Sequence, residues 1–206
     1  MTTTFESAAK NIIGAGNRLD TLGLAPATAG NYSMRLADGS IAITVSGAHK
    51  GLLEKKDIMR VDASGQPLED KKPSAETLLH TVLYEQYPEA NAILHSHSVP
   101  LVVLTNYHSR EKFYHLEGYE LLKVFPGIKT HDVRVSVPVF DNTQDMEDLG
   151  EQVRAVLKDR PASSAFMIRA HGLYGWGRTM NEAAQVVEAL EVLLSCELET
   201  LKLKKR

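Results

Sequence analysis

Two short apolar runs end in histidine: Ala92-Ile-Leu-His95-Ser96-His97-Ser98 and, far downstream, Phe166-Met-Ile-Arg-Ala-His171-Gly172. A short run with no polar alternation marks a strand buried on both faces. Such strands need helices on either side of their sheet, which narrows the architecture before any other residue is read. Each histidine stands where a buried strand runs out. There a fold can hold a ligand rigidly and still leave it open to substrate.

The remaining periodicity is compatible with that frame. Ala8, Ile12, Ile13, Leu19 and Leu22 stripe a helix over 5–22, weakened by Gly14 and Gly16 and stopped by Gly23-Leu-Ala-Pro26. Asp38-Gly39 signals a hairpin, with Ile41, Ile43 and Val45 alternating as a half-buried strand beyond it. Ser46-Gly47-Ala-His49-Lys50-Gly51 and Lys71-Lys-Pro73-Ser74 read as loops. Ser74 is placed to cap a helix over 75–87, which Pro88 ends. Pro100 opens a helix to 106, and 117–125 is a short helix candidate. Residues 133–140 alternate as a strand, and 146–157 form a helix with Leu149, Val153, Val156 and Leu157 inward. A buried strand at 92–94 leads to the paired histidines, and another at 165–170 has its hairpin partner at 173–176. The longest helix, 181–203, carries a basic tail through Arg206 that suits a helix C-terminus. Strands close together in sequence, mixed with helices, predict a mostly antiparallel sheet covered on both faces, in a single α/β domain over 1–206. Gly14-x-Gly16 lies inside a helix with no strand before it, which speaks against a doubly wound nucleotide fold.

Composition excludes some partners. The net charge of -3 offers no basic field for nucleic acid or an anionic membrane. The single cysteine, Cys196, cannot form an intrachain disulfide and fits a reducing compartment; its apolar helical setting predicts a packed thiol. No signal-length apolar core follows the N-terminus and no run reaches membrane-spanning length, so a soluble, cytoplasmic protein is expected.

The histidines carry the chemistry. Side chains at i and i+2 of a strand share a face, so His95 and His97 can chelate one ion, with His171 as the best-placed third ligand. Gly172 behind it lets backbone or substrate come close. Three imidazoles without a second cysteine suggest a catalytic divalent metal. For a lone histidine the bland reading is better: His80 packs or is exposed on its helix, and His108, His115 and His131 lie in loops. Glu76 at a helix N-terminus is explained by the helix dipole, and Glu120 by a solvated face shared with a lysine. Gly30-Asn31, Ser46-Gly47 with Lys50, and Ser74 have the hydroxyls, amides and N–H groups a phosphate needs, though each alone is ordinary turn chemistry. Tyr32 and Trp176 read as core or subunit-contact aromatics.

Taken together, Gly30-Asn31-Tyr-Ser33, Val45-Ser46-Gly47, Lys72-Pro73-Ser74-Ala-Glu76, Leu94-His95-Ser-His97-Ser98 and Arg169-Ala-His171-Gly172-Leu-Tyr-Gly-Trp176-Gly177 are specific in order and spacing. Over nearly its whole length the chain resembles the class II aldolase/adducin family. The resemblance implies a three-layer α/β/α sandwich around a mainly antiparallel sheet, and a homotetramer with active sites near subunit interfaces. It implies one Zn2+ per subunit, with His95, His97 and His171 at the zinc-ligand positions. Asn31, Ser46, Gly47, Lys50 and Ser74 fall where the family holds a substrate phosphate. Glu76 matches the proton-transferring carboxylate of the aldolases, and Glu120 matches the acid/base position of the dehydratases. Gly118-Tyr-Glu120-Leu-Leu-Lys, with Ala75 where aldolases often carry a second serine, steers the expectation to dehydration of a small sugar phosphate. Such a role asks for a Glu120 carboxyl with a raised pKa. An aldolase or epimerase using the same zinc chemistry is the alternative. A non-catalytic, adducin-like binding module would be expected to lose the metal ligands, which are kept here.

Overall fold

In the computed structural model, which describes residues 3–160 and 163–204, one eight-stranded sheet runs in the order β3-β2-β1-β4-β8-β7-β6-β5. The strands are β1 Asn31–Arg35, β2 Ile41–Thr44, β3 Ile58–Val61, β4 Ala92–Ser96, β5 Phe113–Glu117, β6 Arg134–Phe140, β7 Ala165–Ile168 and β8 Gly172–Gly177. Every neighbouring pair is antiparallel except β6 with β7. The helices are α1 Phe5–Thr21, α2 Thr77–Gln86, α3 Val99–Tyr107, α4 Met146–Leu157 and α5 Met180–Lys204. The last two residues of the basic tail, Lys205 and Arg206, lie outside the described residues.

Alternate strand residues feed two cores. Ala42, Ala92, Leu94, Ala165 and Met167 pack with α1, α3 and α5 through Ile12, Leu19, Leu101, Leu190 and Leu194. Ile41, Ile43, Ile93, Phe166 and Ile168 pack with α2 and α4 through Leu79, Val82, Leu83, Leu149 and Val153. This is the period-two pattern of a sheet covered twice, and the expected three-layer α/β/α arrangement. The glycines of β8 let α5 lie close to the sheet: a Cβ on Gly175 would stand 2.7 Å from a Val187 methyl, and one on Gly177 would stand 2.6 Å from Glu182 Cβ.

Several local expectations are corrected. Residues 41–44 are wholly buried, because α1 packs on one side of β2 and α2 on the other. Strands β3 and β5 lie where the sequence pattern predicts no strand. Residues 117–125 are not a regular helix: β5 ends at Glu117, and a 3-10 turn covers Glu120–Val124. Helix α2 begins at Thr77 with Glu76 at the N-cap, two residues later than Ser74 as cap would require. The reason is that Pro73 bridges to Val45, which keeps the chain extended, and Ser74 serves through its carbonyl, accepting from the Thr77 amide at 3.1 Å. Cys196 is exposed on α5, not packed. Tyr32 and Trp176 are buried in the core. No described helix is long and apolar enough to cross a membrane.

Candidate metal centre and its cavity

The antiparallel register of β4 on β8 explains how two distant stretches meet. His95 lies opposite Tyr174 and Ser96 opposite Leu173, so the end of β4 meets the turn before β8, where His171 sits. That turn is tightly held. Ala170 is in the left-handed region at φ +55°, uncommon for a residue with a side chain. Its amide donates to Thr105 Oγ1 at 3.0 Å. The guanidinium of Arg169 donates to the carbonyls of Thr105, His108 and Glu111 and to Asp141. A Cβ on Gly172 would stand 2.5 Å from the His95 ring, so glycine is what allows the two imidazoles to approach.

His95, His97 and His171 come together with one ring nitrogen of each within 4.8 Å of the others. His95 Nδ1 is 3.1 Å from the Leu173 carbonyl and His171 Nδ1 is 3.2 Å from Asn142 Oδ1. Both partners are oxygens, and the carbonyl can only accept, so each Nδ1 carries the proton and each Nε2 presents a lone pair. His97 Nε2 then lies 2.9 Å from His95 Nε2. Converging lone pairs repel unless a cation lies among them, and the spacings suit nitrogens bonded to one ion at about 2.0–2.1 Å. Burial is the main cause that pushes His95 and His97 down to about 3, so both rings stay neutral and ready to ligate. Tyr174 stacks on His95 with centroids 4.2 Å apart and fixes the ring plane. The residues present therefore fit a divalent metal.

Glu76 reaches the same point from the start of α2. Its Oε2 is 3.3 Å from His95 Nε2 and its Oε1 is 3.2 Å from His171 Nε2. Asn31 Nδ2 donates to Oε2 at 2.7 Å.

A cavity of about 310 Å³ opens beside these groups. Its walls include Gly30, Asn31, Ser46, Gly47, Lys50, Ser74, Glu76, His97 and His171. All five expected phosphate-site residues thus share one cavity with two of the three imidazoles. Lys50 is not the solvated lysine that residue type alone suggests. It is 1% exposed, and its ammonium donates to Thr28 O at 2.8 Å and Ala48 O at 2.5 Å. Burial pushes it down to about 8. Gly30 has φ +83°, and a Cβ there would stand 2.5 Å from the His95 carbonyl, so this loop can only approach the histidine strand as glycine.

Glu120 is not in this group. It sits in the 3-10 turn with 69% of its side chain exposed, paired with Lys123 and, at 3.2 Å, with His131. Its hydrogen bond to Lys123 is the leading cause that holds its carboxyl below the usual range. Within one chain that is the reverse of what a general acid needs. The fold also brings in groups that no local motif marks. Gln144 and Met146 line the cavity, and Asn142 orients His171. His80 is buried, with Nε2 2.5 Å from Asn31 Oδ1 and Nδ1 2.7 Å from Ser33 Oγ. Its position, one turn after Glu76, was the available signal.

Residues 10–198 match the class II aldolase and adducin N-terminal domain. A methylthioribulose-1-phosphate dehydratase of Marinobacter nauticus is 48% identical over 204 residues, 98% of each chain. One of Methylococcus capsulatus is 49% identical over 95% of each. Among solved structures, an L-fuculose-1-phosphate aldolase from Thermus thermophilus superposes with TM-score 0.76 at 25% identity, over 95% of both chains. A second L-fuculose 1-phosphate aldolase gives TM-score 0.80 at 21% identity, over 98% of this chain and 89% of that one, a likeness of fold.

Proposed function

The chain belongs to the class II aldolase/adducin family, and on that footing we propose that it is a hydro-lyase that removes water from 5-methylthio-D-ribulose 1-phosphate, giving 5-methylthio-2,3-dioxopentyl phosphate in methionine salvage. The substrate is supported by full-length relatives at 47–49% identity that carry the dehydratase name. The observation that carries the chemistry is the convergence of His95, His97 and His171 beside Glu76, on a cavity whose other walls are the anion-type loops.

The three imidazoles would hold one Zn2+ per subunit. When bound there, the ion supplies positive charge that makes a C–H beside the substrate ketone easier to ionise. The chain does the rest. Ser46, Gly47, Asn31 and Ser74 hold the phosphate, and Lys50 adds charge from beneath while tying the Thr28 and Ala48 backbones together. Anchoring that end converts binding energy into orientation of the reacting carbons. Of the two carboxylates, Glu76 faces the cavity within one chain and is placed to take or return a proton. Glu120 protonates the departing hydroxyl when a neighbouring subunit carries it to the site. A homotetramer with sites at its interfaces suits the exposed Val99 and Val192 on α3 and α5.

The test is incubation of purified protein with methylthioribulose 1-phosphate, following the diketone with and without a chelator. Product that depends on metal is expected; none from zinc-loaded protein would refute the assignment. Glu76 beside the imidazoles also suits aldol cleavage or epimerisation of a sugar phosphate, so those substrates belong in the same assay. Glu120→Gln should keep one zinc per chain and suppress turnover. Mixing it with His97→Asn subunits should restore part of the activity if sites are shared.

A further inference from the structure

We propose that His80 is a positioning residue for the site carboxylate: by donating from Nε2 to Asn31 Oδ1, it fixes the side-chain amide so that its NH2 faces Glu76. The inference rests on the proton-transfer role proposed above for Glu76.

The argument is one of matched donors and acceptors. A carboxylate only accepts, so the Asn31 atom 2.7 Å from Glu76 Oε2 is the NH2. Asn31 Oδ1 then faces His80 Nε2 at 2.5 Å and requires a donor there. With Nε2 protonated, Nδ1 of a neutral ring accepts, and Ser33 Oγ at 2.7 Å donates to it. Ser33 Oγ in turn accepts from the Tyr84 hydroxyl at 2.8 Å. The chain Tyr84, Ser33, His80, Asn31, Glu76 therefore runs in one direction with no mismatched atom. Every member before Glu76 is buried: Asn31 at 4%, Ser33 and His80 at 0%, and Tyr84 at 4% exposure. Reversing one amide would set Asn31 Oδ1 against the carboxylate and leave two donors facing each other at His80, a costly arrangement away from water. Burial, the leading cause, also pushes His80 down to about 3, so the ring stays neutral and one tautomer persists.

The position follows from the helix. His80 is four residues after Glu76, and both lie on the side of α2 that faces β1, where Asn31 and Ser33 alternate with the oppositely facing Tyr32. An apolar side chain would fill this space. What it would not do is choose the orientation of Asn31.

Imidazole nitrogen resonances of the full-length, zinc-loaded protein test this without any substrate. His80 is expected as the Nε2–H tautomer, unchanged between about pH 6 and 8; an Nδ1–H tautomer or a titrating ring overturns the proposal. In the dehydratase assay, His80→Leu should lower kcat by about 10- to 100-fold, more than it changes KM, with zinc content near that of the wild type. His80→Gln, which restores a donor near the Nε2 position, should recover most of the loss. Val153→Ala, a core truncation in α4, controls for a matched fall in melting temperature and should keep kcat. Equal kcat in His80→Leu and Val153→Ala overturns the proposal, as does failure of Gln to rescue. If the wild type turns over no sugar phosphate, the functional reading fails while the tautomer still decides the role of His80.

Discussion

His80, His95 and His97 each sit far below the ordinary imidazole value of 6.5, at about 3, because burial disfavours the charged ring. The sign for stability follows. Between pH 6.5 and about 3 the unfolded chain binds protons that the native rings refuse, so stability rises with pH across that window and falls on acidification. Each ring contributes at most about 1.4 kcal/mol per pH unit. The metal-free protein should therefore show a clear drop in urea midpoint from pH 7.5 to 5.5, and a flat profile would mean that the rings protonate in the native fold. Residue spacing made the His95 and His97 pair readable, since side chains two apart at a strand end share a face. It did not reveal that Lys50 is buried or that His80 is wired to Glu76. Both depend on what lies opposite in space, and neither has a local pattern.

Two glycines on α1 carry opposite predictions at the scale of the element. Gly14 is exposed and has nothing within 4 Å of an added Cβ. Gly14→Ala should stabilise by up to about 1 kcal/mol through helix propensity alone. Gly16 faces the Lys50 carbonyl, which an added Cβ would strike, with Leu53 Cδ1 at 2.9 Å. Gly16→Ala should cost about 1–3 kcal/mol and raise KM, because α1 would lift the loop that holds Lys50 against the cavity. Thermal melts and Michaelis curves for the pair check both signs; a stabilised Gly16→Ala would show that the helix and loop are not in firm contact. As sequence, the two glycines look alike, each only a weakness in a helix. The long elements α4 and α5 were legible almost to the residue from their apolar stripes. The short β3 and β5 were not, since four or five residues offer too few periods to stand out.

For the whole molecule, the decisive separation is between what one chain contains and what an assembly would add. One chain brings together three imidazoles, Glu76 and the loops proposed to hold the phosphate, but leaves Glu120 in solvent beside Lys123 and His131. Prolonged chelation should abolish turnover and readdition of zinc restore it, with the far-ultraviolet circular dichroism little changed, because both cores are apolar clusters to which none of the three histidines belongs. Loss of the fold on chelation would instead make the metal structural.

Local pattern is enough for most of the strands, the long helical stripes and the spacing of the histidine pair, because these are set by bonds and side-chain directions within a few residues. The family resemblance rested on the same local motifs. Tertiary structure alone decided that His171 meets His95, that Glu76 rather than Glu120 lies with them in one chain, and that Lys50 and His80 are buried beneath the cavity. Those outcomes come from strand register and from the docking of α1 and α2 on the sheet. Register and docking are settled by packing between segments tens of residues apart, which no local pattern encodes.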